Sequence, residues 1–205
     1  MNLFLGADFH FDNANVIKHS NRPYETVEQM NEALVENWNK KVSTKDTTII
    51  IGDFAWKNHG HWISALNGKK ILVLGSHDKM AKRYLQCFTD VKMIYYFTIK
   101  DRPFVASHCC QRIWEKCHYG SVHVHGHSHG RLKTYNLSFD MGVDCNNYQP
   151  VSSEELLSMV AKREEEMSSR GRIRIEDRQG KKVKIYYQDD LEFLSPGNGR
   201  TKGDH

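Results

Sequence analysis

The sequence predicts an α/β fold. Short runs of apolar, β-branched and aromatic residues recur along the chain, as expected of strands. The first runs are almost continuously apolar, which is typical of strands covered on both faces. Helical stretches lie between them, and the chain becomes richer in strands after Tyr95. The predicted strands are Leu3–Leu5, Thr48–Ile51, Ile71–Leu74, Tyr95–Ile99, Phe104–Ala106, Val122–Val124 and Leu137–Val143.

Two helices are predicted from capping boxes, in which the first and fourth residues cap each other's backbone. Thr26-Val27-Glu28-Gln29 precedes apolar residues that recur at four-residue spacing as far as Trp38. Ser152-Ser153-Glu154-Glu155 begins a second helix, which we expect from about Ser153 to Ser168.

The last part of the chain predicts a β-hairpin and a tail. Residues 172–175 and 182–185 alternate between basic and apolar side chains around a turn that contains Gly180. Between Arg170 and Lys184 there are seven Lys or Arg and two acidic residues, so the net charge of +4 is concentrated there. We therefore expect a main domain at 1–168, a basic hairpin at 169–190 and a disordered tail at 191–205.

The composition indicates one main globular domain. A chain of 205 residues, 39% of them hydrophobic, can bury a large core without disulfides. No apolar run approaches the ~18 residues needed to cross a bilayer, and the start turns polar too early for a secretory signal. The five cysteines form no C-x-x-C pair, which favours reduced thiols and a cytoplasmic location.

Side chains that can bind metals or move protons follow five of the predicted strands. Histidine suits both tasks, and 12 residues are His. In an open α/β sheet, sites form beyond the carboxyl ends of strands, so these side chains would converge on one crevice. The segments are Asp8-Phe9-His10, Gly52-Asp53, Gly75-Ser76-His77-Asp78, Ser107-His108 and Gly126-His127-Ser128-His129.

Each segment alone has an ordinary structural interpretation. Asp8-x-His10 could be a surface pair, and Gly52-Asp53 a turn or helix cap. Residues 75–78 could be a plain loop, and a lone His108 could be a hydrogen-bonded core histidine. The pair of His127 and His129 is more specific, because two histidines two residues apart can bind one metal or two neighbouring ones. All five segments in this order, each after a strand, indicate a metal site.

This ordered set resembles the motifs of the calcineurin-like metallophosphoesterases, over roughly residues 1–150. The resemblance implies a four-layer αββα sandwich with a dinuclear metal centre at one edge of the two sheets, and residues 1–168 would be the catalytic domain. It implies that Asp8, His10 and His129 hold one metal, while His108 and His127 hold the other. Asp53 would bridge both metals. His77 would be the acid near the leaving group, with Asp78 orienting it.

The implied chemistry is hydrolysis of a phosphoester. A bridging carboxylate offsets the repulsion of two cations about 3.5–4 Å apart, and together they lower the pKa of a shared water. The resulting metal-bound hydroxide would attack phosphorus in line, and a histidine beside the site would protonate the departing alkoxide. Mixed imidazole and carboxylate donors suit two divalent ions, Mn, Fe, Zn, Co or Ni, without choosing among them.

One position departs from the family pattern, which usually has Asn where this chain has Ser76. The serine hydroxyl has a shorter arm and is a poorer neutral ligand than an amide carbonyl. Ser76 either ligates weakly or only allows the turn while water completes the coordination. We expect a second metal site weaker than is usual in the family.

Several other residues have alternative interpretations. Arg22 could bind a substrate phosphate through its guanidinium, or could be a solvated side chain. The aromatic residues after Asp53 could form a stacking rim for a base or aromatic leaving group, or could cover the core. His123 and His125 fit hydrogen-bonded groups better than metal ligands, and Cys109-Cys110 fits structural thiols. The aromatic residues after Asp53 are Trp56, His59, His61 and Trp62.

The leading function is hydrolysis of a phosphodiester, with a phosphomonoester second. One alternative is a catalytically weak, metal-bound scaffold that binds a partner; the presence of His77 and Asp78 argues against it, since a scaffold needs no general acid. Another is a nuclease that holds nucleic-acid phosphates with the basic hairpin, although alternating basic strands are also typical of half-buried surface hairpins. The expected partner is a phosphoester substrate, and no membrane association is expected. Nucleic acid would be a partner only if the basic hairpin binds its phosphates.

Overall fold

The computed structural model describes residues 1–80 and 82–187. The first sheet consists of β1 (Leu3–Gly6), β2 (Thr47–Ile51), β3 (Lys69–Val73), β4 (Asp90–Lys92) and β9 (Val151–Ser152). Their spatial order is β4-β3-β2-β1-β9, with β1 to β4 parallel and β9 antiparallel to β1. The three early apolar runs therefore form adjacent parallel strands. The strands β4 and β9 were not predicted, and both are short.

The second sheet consists of β5 (Ile94–Ile99), β6 (Arg102–Ser107), β7 (Val122–His125) and β8 (Ser138–Asp140), in that order. The first two strands form an antiparallel hairpin, whereas β6, β7 and β8 are parallel. The two sheets are linked where the backbone N–H of Ala7 donates to the carbonyl of Met141 at 2.9 Å. That link lies just after β1, next to the predicted crevice.

Five helices complete the described part of the chain: α1 (Ala14–His19), α2 (Val27–Lys41), α3 (His59–Ala65), α4 (Lys82–Leu85) and α5 (Ser153–Ser169). The capping box of α5 is complete, with Ser152 and Glu155 each bonded to the other's backbone N–H. The box of α2 is half formed, since Thr26 caps the N–H of Gln29 but the Gln29 side chain accepts from Glu25. Both helices begin where their capping residues predict.

The core forms two layers around the first sheet because its strands alternate between faces. Leu5, Ile49 and Ile51 belong to a buried cluster shared with the second sheet. Phe4, Ile50 and Leu72 belong to another, which contains the buried residues of α2. Trp114, in the segment between β6 and β7, belongs to the same cluster as Leu5 and stacks on His123 with ring centroids 5.2 Å apart. The predicted α/β sandwich is confirmed.

The predicted C-terminal hairpin is also confirmed. It consists of β10 (Ile173–Arg178) and β11 (Lys181–Tyr186), antiparallel and joined by Gln179 and Gly180. Both turn residues have positive φ, 55° and 79°, as a tight hairpin turn requires. The buried Tyr186 donates its hydroxyl hydrogen to Glu164 of α5, which fixes the hairpin to the main body.

The predicted tail at 191–205 and the end of the predicted 169–190 extension lie outside the described residues. Within residues 1–80 and 82–187, none of the helices has the length and apolar character that a bilayer span requires.

Candidate metal centre

The five motifs meet at one edge of the sandwich. Residues 8–10, 52–53 and 75–78 follow the carboxyl ends of β1, β2 and β3, which are parallel neighbours. His108 follows β6, and residues 126–129 follow β7, which are parallel neighbours in the second sheet. Parallel strands bring their carboxyl ends to the same side, so the loops converge there.

Six of the expected ligands form two groups of three donor atoms, each group within 4.8 Å: Asp8, His10 and His129, and then Asp53, His108 and His127. Oδ2 of Asp53 lies 3.6 Å from Nε2 of His10 and 3.3 Å from Nε2 of His108. One carboxylate oxygen therefore lies between the two groups. Adjoining three-donor groups that share a carboxylate suit a pair of metal ions.

Buried atoms without partners show that these residues fit cations. Oδ1 of Asp8, Nε2 of His10 and Nε2 of His108 are buried and make no hydrogen bond. Each such atom costs about 1–3 kcal/mol if nothing compensates it. Burial raises the pKa of Asp8 to about 7 and lowers the pKa of His10 to about 3, so the protein alone disfavours both charges. Divalent ions would compensate all three donor atoms.

The loop backbone orients the donors. The N–H of His127 donates to Oδ2 of Asp8, and the N–H of His77 donates to Oδ1 of Asp53, both at 2.8 Å. Nδ1 of His108 lies 3.0 Å from the carbonyl oxygen of Ile51, which can only accept, so Nδ1 carries the hydrogen. These bonds leave Oδ1 of Asp8, Oδ2 of Asp53 and Nε2 of His108 for a metal.

The site is built from unusual backbone conformations. Five of the expected ligands have φ between 48° and 67°, a region that costs non-glycine residues roughly 1–3 kcal/mol each. A Cβ atom on Gly75 would lie 2.4 Å from Oδ1 of Asp53, and one on Gly126 would lie 2.8 Å from Oδ2 of Asp8. The two glycines therefore allow close approach of the loops. The five ligands are Asp8, His10, Asp53, His127 and His129.

Asp144 is a site residue that sequence reasoning missed. Its Oδ2 lies 2.7 Å from Nδ1 of His129, and Ser20 Oγ lies 3.0 Å from the same nitrogen. A carboxylate at Nδ1 directs Nε2 of His129 toward a metal. Asp144 lies in a one-turn 3₁₀-helix, Val143–Cys145, beyond the last motif.

The expectation that Arg22 binds substrate is corrected by the structure. Arg22 is buried, and its Nε and Nη2 each donate to the Asp144 carboxylate at 2.8 Å. The remaining donors are bonded to the carbonyls of Asp8 and Phe9 and to the sulfur of Met30. All five N–H groups are used, so none remains for a phosphate. Arg22 instead fixes the loop that carries Asp8.

His77 and Asp78 occupy different environments. His77 is exposed, and its ring lies 5.7 Å from that of His10. Asp78 is buried, and its carboxylate accepts from the backbone N–H groups of Asp53, Phe54 and Gly75 at 2.7–2.9 Å. The expectation that Asp78 orients the His77 ring is therefore corrected: its carboxylate joins the loops after β2 and β3. Ser76 is exposed, and its Oγ lies 3.4 Å from both carboxylate oxygens of Asp53.

Two of the residues with alternative interpretations, Trp62 and His123, have structural roles. Trp62 stacks on Phe11 at 4.8 Å and donates its N–H to Asp12, so it covers the core. His123 lies 2.9 Å from the hydroxyls of both Ser107 and Ser138, as a hydrogen-bonded histidine should.

A cavity of about 650 Å³ covers the centre, and Trp56 and His77 line it. Arg131, two residues after His129, also lines it and was missed, although its place beside the last motif is visible in the sequence. The other lining residues are His10, Asn13, Asn15, Val16, His19, Ser20, Asp53, His127, Ser128, His129 and Leu132.

Comparison with known proteins finds relatives of similar extent. An uncharacterized protein of Methanocaldococcus jannaschii is 29% identical over 172 residues, covering 78% of this chain and 92% of that protein. The solved structure of a protein of unknown function from Aquifex aeolicus has a TM-score of 0.61 at 22% identity, covering 77% of this chain and 98% of that one. A predicted phosphoesterase from Streptococcus pneumoniae matches at a TM-score of 0.38 and 12% identity, over 69% of this chain and 70% of that one. No family model matches the chain.

The fold and the positions of the motifs both agree with what the sequence predicts. Two packed sheets with five motif loops at one edge are the arrangement that the sequence resemblance implied. The Aquifex structure shares this fold over most of the described chain. The chain therefore has the two-sheet α/β sandwich that the resemblance of its motifs implied.

Proposed function

We propose that this protein is a phosphodiesterase that depends on two divalent metal ions. The observation that carries the proposal is the pair of three-donor groups joined by Oδ2 of Asp53, with buried donor atoms that lack partners. Asp8, His10 and His129 would hold one ion, and His108 and His127 the other, with Asp53 shared. When bound, the ions lower the pKa of a water and offset negative charge on the phosphoryl oxygens.

The residues around the donors have separate tasks. His77 is exposed at the cavity, so its ring can donate a proton to the leaving oxygen, as a general acid must. Its backbone N–H holds Asp53, so the position of the proposed acid is tied to that of the shared carboxylate. Asp78 fixes both loops through their backbone and does not touch the reacting groups. Ser76 is adjacent to Asp53 and is the proposed weak ligand of the second ion.

The charge of the cavity favours a diester over a monoester. Among the described residues that line it, Arg131 is the one Lys or Arg. A diester carries one negative charge, which this one cationic side chain matches, whereas a monoester carries up to two. The cavity of about 650 Å³ also has room for a substituent on each side of a phosphate.

The proposal is tested by assaying metal-loaded protein against bis-p-nitrophenyl phosphate and p-nitrophenyl phosphate, with Mn, Ni, Zn and Mg. We expect faster hydrolysis of the diester. On a diester whose leaving group is an alkoxide, such as a dinucleotide, His77→Ala should retain both ions and lose roughly 10²–10⁴ in rate if its ring supplies the proton. His61→Ala, an exposed histidine of α3 outside the lining set, is the matched control and should leave the rate unchanged.

Two results would contradict the proposal. Hydrolysis of neither ester with any of the four metals would exclude the enzymatic function and favour a metal-bound scaffold. A His77→Ala variant as active as the parent on the diester with an alkoxide leaving group would remove the assigned acid while leaving the metal centre in place.

A further inference from the structure

Trp56 is a large apolar side chain that the fold leaves in the metal-centre cavity. It lies three residues after Asp53 and is 49% exposed. Its backbone is fixed, because its N–H donates to the carbonyl of Phe11 at 2.7 Å. An indole is both apolar and able to donate a hydrogen bond, which is why tryptophan is enriched at binding interfaces.

The position of Trp56 relative to the donors is specific. The rings of Trp56, His77, His10 and His129 follow one another with centroid separations of 5.3, 5.7 and 5.3 Å. Trp56 is therefore at the end of the row next to His77, the proposed donor of a proton to the leaving group. Arg131 and Leu132, the second and third residues after His129 in the sequence, also line the cavity.

Trp62, the second tryptophan after Asp53, has a structural role and differs from Trp56 in its contacts. Trp62 is partly buried against Phe11, and its indole N–H is bonded to Asp12. Trp56 instead contacts the His77 ring at a tilt of 51°, is 49% exposed and lines the cavity. The exposed indole is available to a ligand in a way that Trp62 is not.

We propose that Trp56 is a stacking platform for a planar ring in the leaving group, so that the substrates are phosphodiesters of nucleosides or of other aromatic alcohols. This inference rests on the proposed function, because it takes the leaving group to depart on the His77 side. Stacking between a base and an aromatic side chain tolerates different rings, since every base has a π-face. Trp56 thereby determines specificity and takes no part in bond cleavage.

The test is the binding of non-hydrolysable phosphonates to Mn-loaded protein by calorimetry. The methyl monoesters of methylphosphonate, benzylphosphonate and the phosphonate analogue of adenosine monophosphate, each with the single negative charge of a diester, are compared in the parent, Trp56→Ala and Trp56→Phe. Trp56→Ala should weaken the two ring-bearing ligands about 5- to 100-fold, the scale of one base stacked on an aromatic side chain, and leave the methylphosphonate ester unchanged. Trp56→Phe should restore part of the loss. Tyr96→Ala, which removes another exposed aromatic ring remote from the lining set, is the matched control.

The outcomes separate the two proposals. Weaker binding of either ring-bearing ligand to Trp56→Ala supports the inference. The ligand that loses more affinity shows whether Trp56 prefers a nucleobase or a simple aryl group. Equal loss for all three ligands, or none, overturns it and reduces Trp56 to a support for the His77 ring. A parent protein that binds no phosphonate and cleaves no ester overturns the proposed function, and the inference with it.

Discussion

The two groups of donor atoms that form the first and second halves of the candidate metal centre differ in how firmly the chain holds them. In the first half, Asp8 and His10 are buried, and His129 is backed by Asp144, which is itself paired with Arg22. In the second half, Asp53 and His108 are buried, but His127 is exposed. Ser76 lies next to Asp53, with its Oγ 3.4 Å from Oδ1, and its side chain is short for a metal ligand. Donor residues of both halves line the cavity, but His129 of the first half is backed by a carboxylate, whereas His127 of the second half is exposed. The comparison teaches that the second half is the less supported, and hence the more open, of the two.

The largest expected effect comes from the residue that both halves share. Asp53→Ala removes the carboxylate oxygen between the two groups and should abolish binding of the second ion and most binding of the first. The measurement is Mn content after desalting, by elemental analysis. Asp46→Ala is the control, since Asp46 is a buried carboxylate that accepts backbone N–H groups at the opposite end of the first sheet. Retention of two ions in the Asp53 variant would show that the halves are independent.

The second-largest expected effect is a loss of metal affinity in the first half alone. Asp144→Asn keeps the size of the side chain but weakens the contact that fixes Nδ1 of His129. We expect the affinity of the first ion to fall roughly 10- to 100-fold, the usual effect of losing such a partner, with the second ion little changed. Metal titration by calorimetry measures both, with Asp46→Asn as the control. Equal weakening of both ions would contradict the assignment of His129 to one half.

The smallest effect concerns the open half. Ser76→Asn supplies a longer arm with a carbonyl oxygen, so the second ion should bind about 2- to 10-fold more tightly, the scale of one neutral contact. Ser158→Asn, an exposed serine on α5, is the control. Unchanged affinity and rate in Ser76→Asn would mean that Ser76 only allows the turn.

Much of the fold could be predicted because its signals are local. The apolar runs predicted β1 to β3, and Ser152 and Glu155 predicted the start of α5. The motif residues could be predicted as a set because each follows a strand. Arg22 and Asp144 could not, since they pair across 122 positions, and only the folded chain brings them together. Asp78 was misjudged for the same reason: its partners are backbone N–H groups, which no side-chain pattern reveals.

The most direct test of the central claim is anomalous X-ray diffraction from crystals of the Mn-loaded protein. We expect two anomalous peaks on either side of Oδ2 of Asp53, one among Asp8, His10 and His129, and the other beside His108 and His127. The first peak should have the higher occupancy at limiting Mn. A single peak, or peaks away from these donors, would contradict the dinuclear centre.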